Sequence, residues 1–135
     1  MKIEKKLVES EEHYRSLVEN SPDAVIIYKD EKIVFVNKEC LRLMRAGSTD
    51  ELTGKPVLQF VHPDYQALVI GRMITAASSG ETLPPIEEKL IRIDGSEVFV
   101  EVKAIPIQLL NKPAVQLIIH DLTGRKVSEI ALQES

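Results

Sequence analysis

The sequence predicts an α+β domain built on a five-stranded antiparallel sheet with short helices on one of its faces. Three observations lead to this fold class. Two short strand-like runs come first, several short helices fill the middle of the chain, and three longer strand-like runs follow. The middle helices leave no room for a repeating strand–helix unit, so the strands are expected to pair with antiparallel neighbours.

The first two strands are predicted at residues 24–28 and 32–36, which are rich in β-branched and aromatic side chains. Residues 29–31 between them are charged, so the two strands form a hairpin. Asn37 then opens a helix that is predicted over residues 38–45.

The middle of the chain predicts short helices that are separated by stop signals. The first is expected to end at Gly47, and a short helical turn follows at residues 48–54. A longer helix begins at residues 62–64, where Pro63 lies in the first turn and its missing N–H costs nothing. This helix is predicted to end at residues 78–80.

A long hairpin is predicted in the second half of the chain. A strand at residues 86–93 leads into residues 94–95 (Asp-Gly), which suit a two-residue turn. Residues 98–104 then alternate apolar with polar side chains, the pattern of a strand with one buried face. After a turn at 111–113, the almost unbroken apolar run 114–119 is typical of a central strand.

The first residues of the chain predict an amphipathic helix over residues 3–19. Ile3, Leu7, Tyr14 and Leu17 are close to heptad spacing over about two heptads. The helix could therefore pack on its own domain or continue a coiled coil from an upstream domain. Both alternatives remain open at this point.

Composition excludes several classes of protein. The chain has 135 residues, 44% of them hydrophobic and 28% charged, with a net charge of −4, so no basic surface for nucleic acid is expected. The single cysteine, Cys40, allows no internal disulfide and favours a reducing compartment. No apolar run reaches the roughly 18 residues that cross a bilayer. We therefore expect a cytoplasmic protein without direct membrane insertion.

The candidate reactive residues do not form a catalytic or metal-binding set. His13, His62 and His120 lie in unrelated segments without metal-ligand spacing, and no glycine-rich phosphate loop is present. Cys40 lies beside Leu41 in a predicted helix, and a buried apolar role is favoured over that of a nucleophile. We predict that the chain is not an enzyme and has no catalytic residue or metal ligand.

Five segments occur in an order and spacing that together are specific to one family. They are Asn37 at a helix start and residues 51–55, 62–64, 92–96 and 121–126. Together they resemble a PAS domain of the kind found in bacterial and archaeal sensor histidine kinases. The resemblance implies a PAS-like five-stranded sheet cupped by helices, a pocket between them, frequent dimerisation and no catalytic activity of its own. It also implies three parts: an N-terminal amphipathic helix at 1–20, the PAS domain at 21–123, and the start of a C-terminal signalling helix at 124–135.

Departures from the family pattern bear on cofactors and on the exit from the domain. Flavin-binding, light-sensing members carry a reactive cysteine in a Gly-x-Asn-Cys-Arg-Phe segment, which the surroundings of Cys40 do not resemble. Haem-binding members place a histidine on the long helix, and residues 63–79 contain none. The cofactor is therefore unknown, with haem and covalent flavin disfavoured. In the exit motif, Gly124 weakens the helix start by roughly 1 kcal/mol relative to alanine.

These features predict a sensory and dimerisation module that passes a ligand- or partner-dependent signal to an output domain of the same parent chain, expected to be a histidine kinase. The alternative is a structural interaction module whose pocket is filled by its own side chains. A small enzyme is a third hypothesis with the least support. The pocket is expected to hold a small apolar ligand and to be lined by Leu41, Met44, Phe60, Leu68, Val69, Met73, Leu90, Val100, Val102 and Ile119.

Two surfaces are predicted to carry the signal. An apolar set on the outer sheet face implies a cover, so we predict a homodimer. Its predicted contacts are Ile3, Leu7, Tyr14, Leu17, Phe99, Ile105 and Ile118.

The signal is expected to leave through Asp121, Thr123 and Arg125. Asp121 can accept hydrogen bonds from the turn or pair with Arg125, while Thr123 caps a helix that begins at Gly124. The alternative is that Asp121 and Thr123 only end the strand.

Overall fold

The fold is taken from a computed structural model of the chain, which describes residues 15–123. The predictions for Ile3, Leu7, Tyr14 and Arg125, and for the helix at 124–135, lie outside the described residues. The last turn of the predicted N-terminal helix is described, and residues 15–19 are helical.

Five strands form one sheet. They are β1 (Ala24–Lys29), β2 (Lys32–Val36), β3 (Leu83–Ile91), β4 (Glu97–Leu109) and β5 (Lys112–Asp121). Their order is β2-β1-β5-β4-β3, and every neighbouring pair is antiparallel. The predicted α+β class and five-stranded antiparallel sheet are confirmed, and the apolar run 114–119 lies in the central strand β5.

The helices lie between β2 and β3 in the sequence and pack on one face of the sheet. They are α1 (Lys38–Met44), two short 3-10 turns (Thr49–Glu51 and Val57–Phe60), and α2 (Pro63–Ser79). Residues of all these elements except the first 3-10 turn share one buried apolar core with all five strands. The core therefore lies between the helices and the sheet.

Local chemistry explains how the two α-helices begin and end. The Asn37 side chain accepts a hydrogen bond from the Cys40 N–H at the start of α1, and the His62 ring accepts one from the Asp64 N–H at the start of α2. Gly80 ends α2 with a φ of 68°. The predicted end of α1 at Gly47 is wrong, because Arg45 already takes the left-handed conformation with a φ of 55°.

The turns of the long hairpins differ from prediction. The prediction of a two-residue turn at 94–95 is wrong, because residues 92–96 join β3 to β4. Within that loop only Gly95 has a positive φ, of 86°. Asp94 instead accepts hydrogen bonds from the N–H and hydroxyl groups of Ser96, which stabilises a wider loop. The tight two-residue turn lies at Leu110 and Asn111, with φ values of 52° and 64°.

The strand β3 also begins earlier than predicted. It starts at Leu83 and includes Pro84 and Pro85, which lie before the predicted start at Ile86. The pairing with β4 is irregular between Leu83 and Ile86. Because β3 is an edge strand, prolines at such an irregularity interrupt the ladder on one side only.

The outer face of the sheet is partly covered by the chain itself. Val25 and Ile27 lie opposite Ile118 and Gln116 in the β1–β5 ladder, and their side chains are on the face away from the helices. They are nevertheless only 2% and 3% exposed. Val18 in the N-terminal helical turn is also buried. For this last turn, packing on its own domain is therefore observed.

Candidate functional site

The helices and the sheet enclose a small apolar cavity of about 40 Å³. The cavity is bordered by all five strands, by both α-helices and by the second 3-10 turn. Seven predicted pocket residues line it: Met44, Phe60, Val69, Met73, Leu90, Val102 and Ile119.

The other three predicted pocket residues do not line this cavity. Leu41 is half-buried against the core, and Val100 is fully buried within it. Leu68 was expected to face the interior, but it is 47% exposed. The inward face of α2 is carried by Val69 and Met73, which are four residues apart and therefore lie on one side of the helix.

Sequence reasoning missed the polar residues of the cavity, which are Tyr28, Arg72 and Glu88. Glu88 lies in a run of charged residues that reads as solvent-exposed, but it pairs with the buried Val100 across the sheet. The alternation of side chains along β3 could have indicated its position, because Glu88 lies two residues before the buried Leu90 and therefore shares the same face of the strand.

Glu88 is 5% exposed, and burial raises the pKa of its carboxyl from 4.5 to about 7. The positive charge of Arg72 opposes this rise in pKa. Among residues 15–123, no hydrogen bond or ion pair to the Glu88 carboxyl is formed. The cavity therefore contains a carboxyl group without a bonded partner in the described part of the chain.

Arg72 is held at the border of the cavity by the backbone of two strands. Its Nη2 donates to the carbonyl oxygen of Pro84 at 2.7 Å and to that of Val102 at 3.4 Å. Burial lowers the pKa of the Arg72 guanidinium, and the charge of Glu88 opposes this. Burial also raises the pKa of the Tyr28 hydroxyl to about 12, so that group stays neutral.

A second buried polar residue, Asn37, organises the entrance to the domain. Its Oδ1 accepts from the N–H groups of Val25 at 2.9 Å and Cys40 at 3.0 Å. Its Nδ2 donates to the carbonyl oxygens of Val18 at 2.8 Å and Asp23 at 3.0 Å. These four bonds join the N-terminal helical turn to β1 and α1.

The predicted exit residues lie directly after the cavity. Ile119 lines the cavity, and Asp121 Oδ1 accepts from the Thr123 N–H at 2.8 Å and from the Thr123 hydroxyl at 2.6 Å. Thr123 is the first helical residue after β5, so the side chain that bonds to the helix start is that of Asp121. Between them, Leu122 is buried and its N–H donates to the Phe99 carbonyl.

One contact joins the entrance of the domain to its exit. His120 Nδ1 and Asp23 Oδ1 are 2.9 Å apart at the ends of β5 and β1. The hydrogen bond to Asp23 raises the pKa of His120 above 6.5. This contact lies at the surface, because the His120 side chain is 61% exposed.

The described dimer residues differ in exposure. Leu17 is 62% exposed, whereas Phe99, Ile105 and Ile118 are half-buried on the outer face. The ammonium group of Lys89 lies 4.8 Å from the centre of the Phe99 ring and covers part of it.

The reactive residues are scattered. Among residues 15–123, no three His, Cys, Asp or Glu side chains are grouped as metal ligands would be. Cys40 is fully buried, and burial raises the pKa of its thiol to about 12. In the same part of the chain, no helix has both the length and the apolar composition needed to span a bilayer.

Comparison with known proteins places this geometry in context. A family model described as the PAS fold matches residues 12–122. Sporulation kinase A of Bacillus subtilis (strain 168) is 36% identical over 122 residues, which cover 90% of this chain and 20% of that protein. The chain thus spans about a fifth of the length of that curated relative.

Two solved structures have the same fold. The PAS domain of an HTR-like protein from Haloarcula marismortui is 26% identical, with a TM-score of 0.71 over 89% of this chain and 98% of that one. A PAS domain from a two-component sensor histidine kinase is 18% identical, with a TM-score of 0.66 over 87% and 98% of the two chains.

Proposed function

The chain belongs to the PAS family, as its five segments predicted, and from this premise we propose that it is the ligand-sensing and dimerisation module of a larger signalling protein. PAS domains are sensory modules that are not themselves catalytic. Similarity to the PAS regions of kinases supports a histidine kinase as the output domain of the same parent chain. Occupancy of the cavity would change the position of the helix that leaves β5.

The observation that carries this proposal is the short path from the cavity to the exit. Ile119 lines the cavity, and Asp121, two residues later, binds the N–H and hydroxyl groups of the first helical residue. A ligand that displaces Ile119 would move the acceptor for this helix start. Leu122, between Asp121 and Thr123, is buried and its N–H is bonded to the Phe99 carbonyl, so such a shift would act on packed atoms.

The exit is tested in the full-length parent protein. Asp121→Ala removes the acceptor of both hydrogen bonds and should change histidine autophosphorylation by about threefold or more, leaving cavity binding and fold intact. The matched control is Asp121→Asn, which keeps an oxygen acceptor and should retain most of the regulation. If Asp121→Ala is folded and its output is unchanged, Asp121 and Thr123 only end the strand and this route is wrong.

The size of the cavity restricts the ligand. About 40 Å³ holds roughly three water-sized groups, whereas pockets for drug-sized ligands measure about 300–1,000 Å³. A small ligand would enter this cavity without a large rearrangement. The rival is a structural module whose cavity is filled by its own side chains, and native mass spectrometry of the purified protein separates the two.

The dimer and the location complete the proposal. We propose a homodimer that uses the N-terminal helix and the outer sheet face, because Leu17 is exposed and Phe99, Ile105 and Ile118 are only half-buried. We also propose that the module works in the cytoplasm. Deleting residues 1–12 should increase the monomer fraction in sedimentation without unfolding the domain. An unchanged dimer would rule out this interface.

A further inference from the structure

Glu88 is a charged side chain that the fold buries without a bonded partner in the described chain. It is 5% exposed and lines the cavity. Every fully buried side-chain nitrogen or oxygen among residues 15–123 has a hydrogen-bond partner. Since the Glu88 carboxyl has none among these residues, its oxygens border accessible space, and the cavity is the space that Glu88 lines.

The neighbouring positive charge limits which ligands fit. Arg72 interacts with Glu88 electrostatically, but its Nη2 is already bonded to the carbonyl oxygens of Pro84 and Val102. An ionised Glu88 balances the charge of Arg72. A neutral ligand preserves this balance, a cation would add to the positive charge, and an anion would have to compete with Glu88 for a guanidinium that is partly engaged.

The other residues that line the cavity determine the size and polarity of the rest of the ligand. Apart from Tyr28, Arg72 and Glu88, every lining residue is apolar. The volume of about 40 Å³ leaves room for only a few non-hydrogen atoms. Such a molecule would bury a small apolar body and direct one polar group at Glu88.

Resting on the proposed function, we propose that Glu88 makes the cavity selective for a small neutral molecule that donates a hydrogen bond, such as a short-chain alcohol. The ligand hydroxyl donates to the Glu88 carboxylate. Tyr28 also lines the cavity, and within residues 15–123 its hydroxyl makes no hydrogen bond, so it can bind the same ligand oxygen. A donor bonded to the ionised form should lower the pKa of Glu88 from about 7.

Four probes of one shape test this selectivity. Isopropanol, acetone, acetate and isopropylammonium have nearly the same size, but only isopropanol is a neutral donor. Each is titrated at pH 8 into the 135-residue chain, and Kd is measured from the NMR shifts of the methyl groups of Met44, Ile33 and Val102, which line the cavity. Isopropanol should bind about tenfold more tightly than the other three probes.

A pair of variants assigns the selectivity to Glu88. Glu88→Met should reduce the isopropanol-to-acetone ratio to about 1, because the acceptor is lost and the volume is kept. Glu87→Met makes the same change at the adjacent exposed position and should leave the ratio unaltered. A ratio that survives Glu88→Met would overturn the proposal.

The wild-type titrations decide the proposal even if a variant fails to fold. Equal binding of isopropanol and acetone would overturn selection by Glu88 and leave the proposed sensory cavity intact. Preferential binding of acetate or isopropylammonium would also overturn it, since the site would then recognise charge. If no probe shifts the cavity methyl groups, both this inference and the ligand-sensing part of the proposed function are wrong.

Discussion

Asn37 and Glu88 are the two polar residues that the described part of the chain buries, and their surroundings are opposite. Asn37 makes four hydrogen bonds to three segments of the backbone. Glu88 faces a cavity and makes no hydrogen bond within residues 15–123. A satisfied buried amide holds one arrangement of the chain, whereas a carboxyl without a partner leaves bonding capacity for something that enters.

The largest expected effect comes from removing the satisfied group. Asn37→Ala leaves the N–H groups of Val25 and Cys40 and the carbonyl oxygen of Asp23 without partners, whereas the Val18 carbonyl still accepts from the Ser21 N–H. At about 1–3 kcal/mol for each unsatisfied group, the free energy of unfolding should fall by about 4 kcal/mol or more. Urea denaturation measures this change.

Asn37→Ser is the matched control, because its hydroxyl adds no charge and can still accept from the Cys40 N–H at the start of α1. Its loss of stability should be smaller than that of Asn37→Ala. A fall of less than about 1 kcal/mol for Asn37→Ala would remove the contrast between the two buried residues.

Introducing a second carboxyl group into the cavity by mutation tests the contrast between Asn37 and Glu88 further. Val102 is 4% exposed and lines the cavity, so Val102→Asp adds a buried acid near Glu88. We expect a loss of about 3 kcal/mol in the free energy of unfolding, or loss of probe binding where the domain stays folded. Val102→Thr, of similar shape and without charge, should cost less. A stable Val102→Asp domain with unaltered binding would show that β4 does not face the cavity.

Replacing Glu88 should stabilise the protein at high pH. The folded pKa of about 7 lies above the unfolded value of 4.5, so the folded state holds the proton more tightly. Stability from this group is therefore fully present below pH 4.5 and is lost as pH rises to about 7. Glu88→Gln removes this loss and should raise the free energy of unfolding by about 2 kcal/mol at pH 8, with little change at pH 4.

Denaturation at a series of pH values measures the difference between the wild type and Glu88→Gln. Glu87→Gln makes the same substitution at the adjacent exposed position and should show no comparable pH-dependent gain. If the Glu88→Gln difference were the same at pH 4 and pH 8, the carboxyl would be partnered in solution.

The smallest expected effect is at the surface contact between Asp23 and His120. Because Asp23 raises the pKa of His120, the stability from this contact is present below pH 6.5 and is lost as pH rises through the folded value. Asp23→Asn should lower the pKa of His120 measured by NMR. The change in stability should be about 0.5 kcal/mol or less, since the His120 side chain is 61% exposed. An unchanged His120 pKa would show that this contact does not form in solution.

Local pattern was sufficient for most of the fold. Alternating apolar residues predicted the strand at 98–104, because a strand that buries one face has a period of two residues, and the almost unbroken apolar run 114–119 predicted the central strand. Helix-start residues such as Asn37 and Pro63 predicted the starts of α1 and α2 at the observed positions. The family itself was predicted from five short segments and is confirmed.

The polar end of the cavity was decided only by tertiary structure. Glu88 has charged neighbours on both sides in sequence, and its alternation with Leu90 indicates only which face of β3 it shares, not whether that part of the face is covered. Its burial depends on β4 placing Val100 opposite it and on α2 carrying Arg72 to the backbone of β3 and β4. Periodicity sets which face of a strand a residue occupies, but solvent access also depends on what crosses that face, and this is determined by contacts between residues far apart in sequence.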